Sequence, residues 1–168
     1  MIEIKPVRDV AVILLYNKYG EFLLGRRKEG KFAAGYYELP GGKREDGESL
    51  LQTVKRETLE EIGYTLKRPQ LIYECHVDYS IGQIPLHVFA EELEAENLSE
   101  AVKARSSDYN RPKFPANEAA ELVWVTGHKA LSLKLLPIMR AMLDLTPFRR
   151  LLPNIGPVDL SVDKDVHI

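Results

Sequence analysis

Seven charged and glycine residues stand at fixed spacing between positions 42 and 63: Gly42, Glu48, Arg56, Glu57, Glu60, Glu61 and Gly63, in the run GKREDGESLLQTVKRETLEEIGY. At about 100° per residue, a helix sets Glu60 about 60° behind Glu57 and Glu61 about 40° ahead of it, so three carboxylates share one face. Like charges three and four residues apart repel by a few tenths of a kcal/mol per pair. No Lys follows four residues on to relieve Glu57, Glu60 or Glu61. A run of charge is ordinarily a solvated helix face, but this crowding calls for a counter-charge. Mg2+ and Mn2+ take carboxylate oxygens together with water and substrate phosphates. The stripe is therefore suited to holding hard cations against a phosphate chain.

A helix that does this must be docked. Leu51, Val54, Thr58 and Ile62 recur at three- and four-residue steps, an apolar stripe that can lie on a sheet, with Leu59 at its edge. Pro40, Gly41, Gly42 and Gly47 are turn material ahead of it, Asp46 and Glu48 favour its start, and Gly63 is placed to cap its end. Before the helix, residues 8–16 and 21–27 read as strands joined by the turn Asn17-Lys18-Tyr19-Gly20. After it, residues 70–79 and 84–93 form a second strand pair with a turn over 78–82, and 120–125 gives a further strand. Residues 133–145 mix apolar and polar side chains at helical spacing. The polar stretch 94–117 reads as a long loop, of the kind that can serve as a lid over a substrate. Residues 146–168, with Pro147, Pro153 and Pro157, match neither pattern and read as an extended tail. Periodicity alone supports one mixed α and β domain.

The segment from Gly42 resembles the Nudix box, G-x5-E-x7-R-E-U-x-E-E-x-G-U, with every charged and glycine position filled. At roughly 1 in 15 per position, seven such matches arise by chance about once in 10^8 starts. Thr58 and Tyr64 depart from the aliphatic positions, a matter of packing and not of ligands. Glu38-Leu39-Pro40-Gly41-Gly42-Lys43 looks like the lead-in of the MutT-like subgroup, and Phe22 to Arg27 resembles its second strand. Glu118, six residues before Trp124, also stands in a familiar place.

The resemblance implies an α/β fold, a Nudix-type α/β/α sandwich with a mixed β-sheet, over residues 1–146, followed by an extension over 147–168 with no role assigned. It implies a metal-dependent hydrolase that cleaves the pyrophosphate linkage of a nucleoside triphosphate or related nucleoside diphosphate derivative, releasing a nucleoside monophosphate. Oxidised guanine nucleotides are the natural substrate guess. Glu57, Glu60 and Glu61, with the Gly41 carbonyl, are implied as ligands of Mg2+, for which Mn2+ can substitute, and Glu48 as a supporting group behind them. Arg56 lies about 100° from Glu57 on the helix, so it suits orienting Glu57 or Glu48 better than touching substrate. Glu118 is the candidate outside the box, as an extra ligand or as the general base, with Glu121 its near competitor. Arg26 and Arg27 could reach substrate phosphates, although strand alternation would point only one of them to the site. Phe32, Tyr36, Tyr37, Tyr79 and Trp124 are candidates to stack on a base.

Two alternatives stand beside this reading. One is an ADP-ribose or nucleotide-sugar pyrophosphatase, and the other is a nucleotide-sensing module that keeps the fold without catalysis, for which an intact box is a poor sign. No asparagine stands at the start of the last helix, where the MutT-like subgroup places its purine-recognising residue. The run there is Leu-Lys-Leu-Leu-Pro.

A net charge of -2 gives no basic field for duplex nucleic acid or an anionic membrane. One cysteine, Cys75, cannot form an internal disulfide and reads as a small buried hydrophobe. His76, His87 and His128 lack metal-ligand spacing and read as structural. No apolar stretch is long enough to span a bilayer, and the first ten residues lack a secretory start, so a cytoplasmic setting is expected. Many relatives pair up, so a homodimer in which residues 146–168 wrap a neighbour is compatible with the resemblance.

Overall fold

The structure, a computed structural model, describes residues 7–168. The expectation that the first residues lack a secretory start concerns mainly residues 1–6, which lie outside the described residues. In chain order the elements are β1 (Val10–Tyr16), β2 (Glu21–Arg26), β3 (Tyr37–Glu38), β4 (Gly41–Lys43), α1 (Leu50–Ile62), β5 (Gln70–Tyr79), β6 (Gly82–Glu92), α2 (Glu100–Arg105), β7 (Glu121–Thr126), α3 (Gly127–Ala130), α4 (Pro137–Leu143) and α5 (Thr146–Leu151). They build one mixed sheet of order β3-β2-β1-β6-β5, with β4 also on β1 and β7 also on β2. The β1–β6 pair is parallel and the others are antiparallel.

Alternation along the central strand divides the core in two. Ala11, Ile13 and Leu15 face α1 together with Leu23, Val54, Ile62 and Tyr64. Val12 and Leu14 face the opposite side with Phe22, Leu24, Met139, Met142 and Phe148 from α4 and α5. Each side chain of the strand thus serves one layer, which is the expected helix–sheet–helix sandwich.

The amphipathic pattern of α1 is shifted slightly from the sequence reading. Val54, Thr58 and Ile62 are buried as expected, but Leu51 and Leu59 are exposed and Thr53 is buried. Thr53 can take that place because its hydroxyl donates to the Ser49 carbonyl at 3.0 Å. Ser49, not Asp46 or Glu48, caps the helix, in a reciprocal pair with Gln52. Gly63 closes it in the left-handed conformation at φ 74°, its N–H reaching the Leu59 carbonyl. Tyr64 fills its aliphatic position by burying its ring against Phe114, with centroids 5.8 Å apart.

Three later stretches differ from expectation. The helix expected over 133–145 begins only at Pro137, which takes the first helical position and forces the residue before it to be extended. Residues 134–136 instead run beside Tyr37, whose N–H donates to Lys134 O and whose carbonyl accepts from Leu136 N. The long polar stretch is pinned: Arg111 bonds Glu21 at 2.7 Å, Asn17 donates to Asn110 O at 2.8 Å, and Trp124 donates to Pro112 O at 3.0 Å. The segment after 146 folds back, with Phe148, Leu152 and Ile155 buried in the core. Cys75 packs at the edge of that core, and burial pushes its thiol pKa up.

Candidate active site

The sheet delivers β4 directly under α1. Gly41 sits opposite Val12 at φ 155°, and a Cβ there would lie 2.2 Å from the Ala11 carbonyl, so only glycine lets the two strands approach. At Gly42 a Cβ would lie 2.4 Å from the Glu57 carboxyl carbon. These glycines are spaces kept for carboxylates and backbone, and through them α1 rests its acidic face on the strand edge.

Arg56 organises that face. Its guanidinium grips Glu48 with two bonds of 2.7 and 2.9 Å, donates to Glu57 at 2.9 Å and Glu60 at 3.2 Å, and reaches the Lys43 carbonyl at 3.0 Å. This double grip holds the Glu48 carboxyl down to about 2, and its partners in turn raise the Arg56 pKa, so the pair is ionised at any working pH. Arg56 therefore spans both carboxylates that the sequence offered it.

Glu57, Glu61 and Glu118 bring carboxylate oxygens within 4.8 Å of one another. Glu60 is not in that group; it stands half exposed beside Arg56. Glu118 comes to the cluster from the chain before β7, while Glu121 turns away to accept from the Tyr37 hydroxyl at 2.8 Å. Asn117 docks this loop on the end of α1, its side-chain amide donating to Glu60 O at 3.0 Å. Glu61 accepts from the Gly41 N–H at 3.0 Å. Burial, and then the charges of Glu118, Glu57 and Glu38, push its pKa up to about 9 against that hydrogen bond. Burial likewise raises Glu57, against the pull of Arg56. The donor set fits a hard divalent cation: all-oxygen, closely grouped, and with charges held among like charges in a way that a cation relieves.

Two cavities meet here. One of about 380 Å3 is lined by Glu57, Glu61 and Glu118 on one side and by Arg26, Lys28 and Lys31 on another. The second, of about 250 Å3, is largely apolar, with walls that include Val77, Ile84, Leu136, Ile138, Met139 and Met142. Arg27, Glu38, Leu39, Gly41, Gly42 and Lys43 border both. Arg26 and Arg27 both face the charged cavity, because β2 ends at Arg26 and strand alternation no longer governs Arg27. Arg27 also donates to Glu38 at 2.6 Å, fixing the partition between the cavities. Phe32 and Tyr79 meet edge-on at 5.4 Å on the apolar wall. Trp124 lies on the other core, and Tyr36 stacks under Lys134.

Lys28 and Lys31 were not singled out from sequence. Their signal was the basic content of the irregular stretch before the box, which only acquires meaning once that stretch is folded against the carboxylates.

The NUDIX domain family model matches residues 5–146, and the chain belongs to that family. It is 32% identical over 117 residues to an oxidized purine nucleoside triphosphate hydrolase of Danio rerio, covering 67% of this chain and 74% of the relative. It is 36% identical over 75 residues to an 8-oxo-dGTP diphosphatase of Haemophilus influenzae, covering 45% of this chain. The match takes in 55% of that relative, so the chain spans little more than half its length. Among solved structures, a MutT protein from Methanosarcina mazei Go1 superposes with a TM-score of 0.65 at 29% identity, covering 88% of this chain and 94% of the other. The likeness drawn from residues 42–63 and the mixed-sheet sandwich expected from it are both borne out. Among the described residues no helix is long and apolar enough to cross a membrane.

Proposed function

We propose that this chain is a metal-dependent pyrophosphohydrolase that cleaves a nucleoside triphosphate to its monophosphate and pyrophosphate, with oxidised purine nucleotides such as 8-oxo-dGTP as the favoured class. The observation that carries this reading is the pairing of the two cavities. A triphosphate needs cationic and cation-holding walls, a base needs an apolar slot, and here the two share one border at Gly41 and Gly42. The activities for which the Danio rerio and Haemophilus influenzae relatives are named support the substrate class.

Glu57, Glu61 and Glu118 would hold the cation, with Glu60 able to join from the solvent side. Mg2+ or Mn2+ bound there would neutralise phosphate charge and make a bound water acidic. The chain itself supplies positioning, which is most of what phosphoryl transfer asks of a protein. Arg56 and Glu48 fix the direction of Glu57, and the Gly41 N–H fixes Glu61. Arg26, Lys28 and Lys31 face the same space and would bind phosphate oxygens. Glu118, at the exposed side of the cluster, is the member that, in place of serving as a ligand, could take a proton from an attacking water.

A panel of nucleotides with Mg2+ and with Mn2+, read for pyrophosphate against orthophosphate, tests the proposal. Pyrophosphate release from purine triphosphates is the expected result. Turnover confined to ADP-ribose or nucleotide sugars would move the protein to another substrate class, and no turnover of any of them would leave a sensing module.

A further inference from the structure

We infer that the segment after residue 146 is a brace that sets the width of the apolar cavity, with Asp163 and Arg140 as positioning residues for substrate selection. This rests on the reading that the nucleobase occupies that cavity. The segment lies beyond the match to the family model, which ends at 146.

The cavity has two opposed walls built by distant parts of the chain. One is α4, which contributes Ile138, Met139 and Met142; the other is the β5–β6 hairpin end, which contributes Val77, Tyr79, Ile81 and Ile84. The C-terminal segment is bonded to both. Asp163, in a single turn of 3-10 helix (Leu160–Asp163), accepts from Arg140 Nε on α4 at 3.1 Å. Five residues later the Ile168 oxygen accepts from the N–H of Ser80 at 2.8 Å, between Tyr79 and Ile81. A short stretch of chain thus ties the helix wall to the hairpin wall.

The helix end of this tie is firm. Arg140 and Asp163 are about nine-tenths buried, and the same guanidinium donates to Leu131 O at 2.8 Å and Leu133 O at 3.1 Å. That clamps α4 to the chain leading into it. A buried guanidinium stripped of its carboxylate is a strong local perturbation. Upstream, Ile155 packs so closely on Gly127 that a Cβ there would lie 2.5 Å from its Cγ1, so the segment cannot slide along the core. Fixing α4 and the hairpin relative to one another fixes the gap a base must fill, and a preset gap binds a fitting base with less ordering cost.

The test uses full-length protein and three triphosphates: a purine nucleotide, a pyrimidine nucleotide, and methyl triphosphate, which has no base. In D163A the KM for the purine nucleotide should rise about tenfold with kcat within about twofold, and discrimination between purine and pyrimidine should fall accordingly. Methyl triphosphate turnover should be unchanged, and D163E should restore the purine KM. Deletion of Ile168 alone, which removes the other anchor, should act in the same direction. Native-like melting of D163A or of the Ile168 deletion with an unchanged purine KM and unchanged discrimination would overturn the inference, as would loss of the folding transition in both. If the parent protein itself treats the three substrates alike, it is the placement of the base in the cavity that fails.

Discussion

The two cavities that meet at Gly41 and Gly42 are built in opposite ways. The charged one draws two of its carboxylates, Glu57 and Glu61, from one helix, and their spacing along α1 fixes their mutual geometry before any tertiary contact forms. The apolar one is assembled from β1, β4, β5, β6 and α4, and no short stretch of sequence encodes it. On the proposed reading, chemistry that must be held to fractions of an ångström is thus placed on a locally determined element, while the surface that would face the variable part of a substrate depends on long-range packing. On that reading the first should tolerate little change, whereas the second should be open to retuning by distant substitutions.

The largest effects should separate the two regions cleanly. E57Q or E61Q should reduce kcat by orders of magnitude with little change in melting temperature, measured as pyrophosphate release in Mg2+. Activity within about twofold of the parent would remove those residues from the metal site. G42A should resemble E57Q, because the added methyl would occupy the space of the Glu57 carboxylate. On the opposite face, F148A should destabilise the fold by about 3–5 kcal/mol in a denaturant titration, since Phe148 is fully buried in the core that backs the apolar cavity.

A smaller effect should come from the support of the acidic helix. E48Q leaves Arg56 without its two-bond partner and should lower activity by about 10- to 100-fold, in the way that orienting groups behind metal ligands usually do.

The pH dependence of the metal-free protein sharpens the same contrast. The Glu61 pKa is raised from 4.5 to about 9 in the folded chain. Between those values the folded state keeps a proton that the unfolded state has released, so stability should fall as pH rises through that window. Melting in chelator at pH 6 and pH 8 should give the lower temperature at pH 8, a smaller difference in E61Q, and a rescue by Mn2+ that grows with pH. A metal-free protein more stable at pH 8 would contradict the burial of that carboxylate.

What the sequence disclosed follows the same division. The α1 carboxylates, the glycines around them and the strands of both hairpins were legible because period and spacing are local properties, whereas the layered sandwich was expected only from the resemblance to the Nudix family. The inclusion of Glu118 and the outward turn of Glu60 were harder to place: helix geometry puts Glu57, Glu60 and Glu61 on one face, but only the docking of the loop at Asn117 shows which side of that face is enclosed. Thr53 in place of Leu51 on the buried stripe was hidden because its hydroxyl is satisfied within its own helix. The segment after 146, with three prolines, gave no periodic signal. Its order comes from Phe148, Leu152 and Ile155 entering a core made by the rest of the chain.

The central claim is that the grouped carboxylates bind a divalent cation in the company of a polyphosphate. Calorimetric titration of Mn2+ into the protein with a non-hydrolysable nucleoside triphosphate analogue, for the parent and for E57Q and E61Q, tests it directly. The account predicts a saturable site in the parent that is strengthened by the nucleotide and lost or greatly weakened in both variants. Equal Mn2+ binding by all three proteins would contradict it.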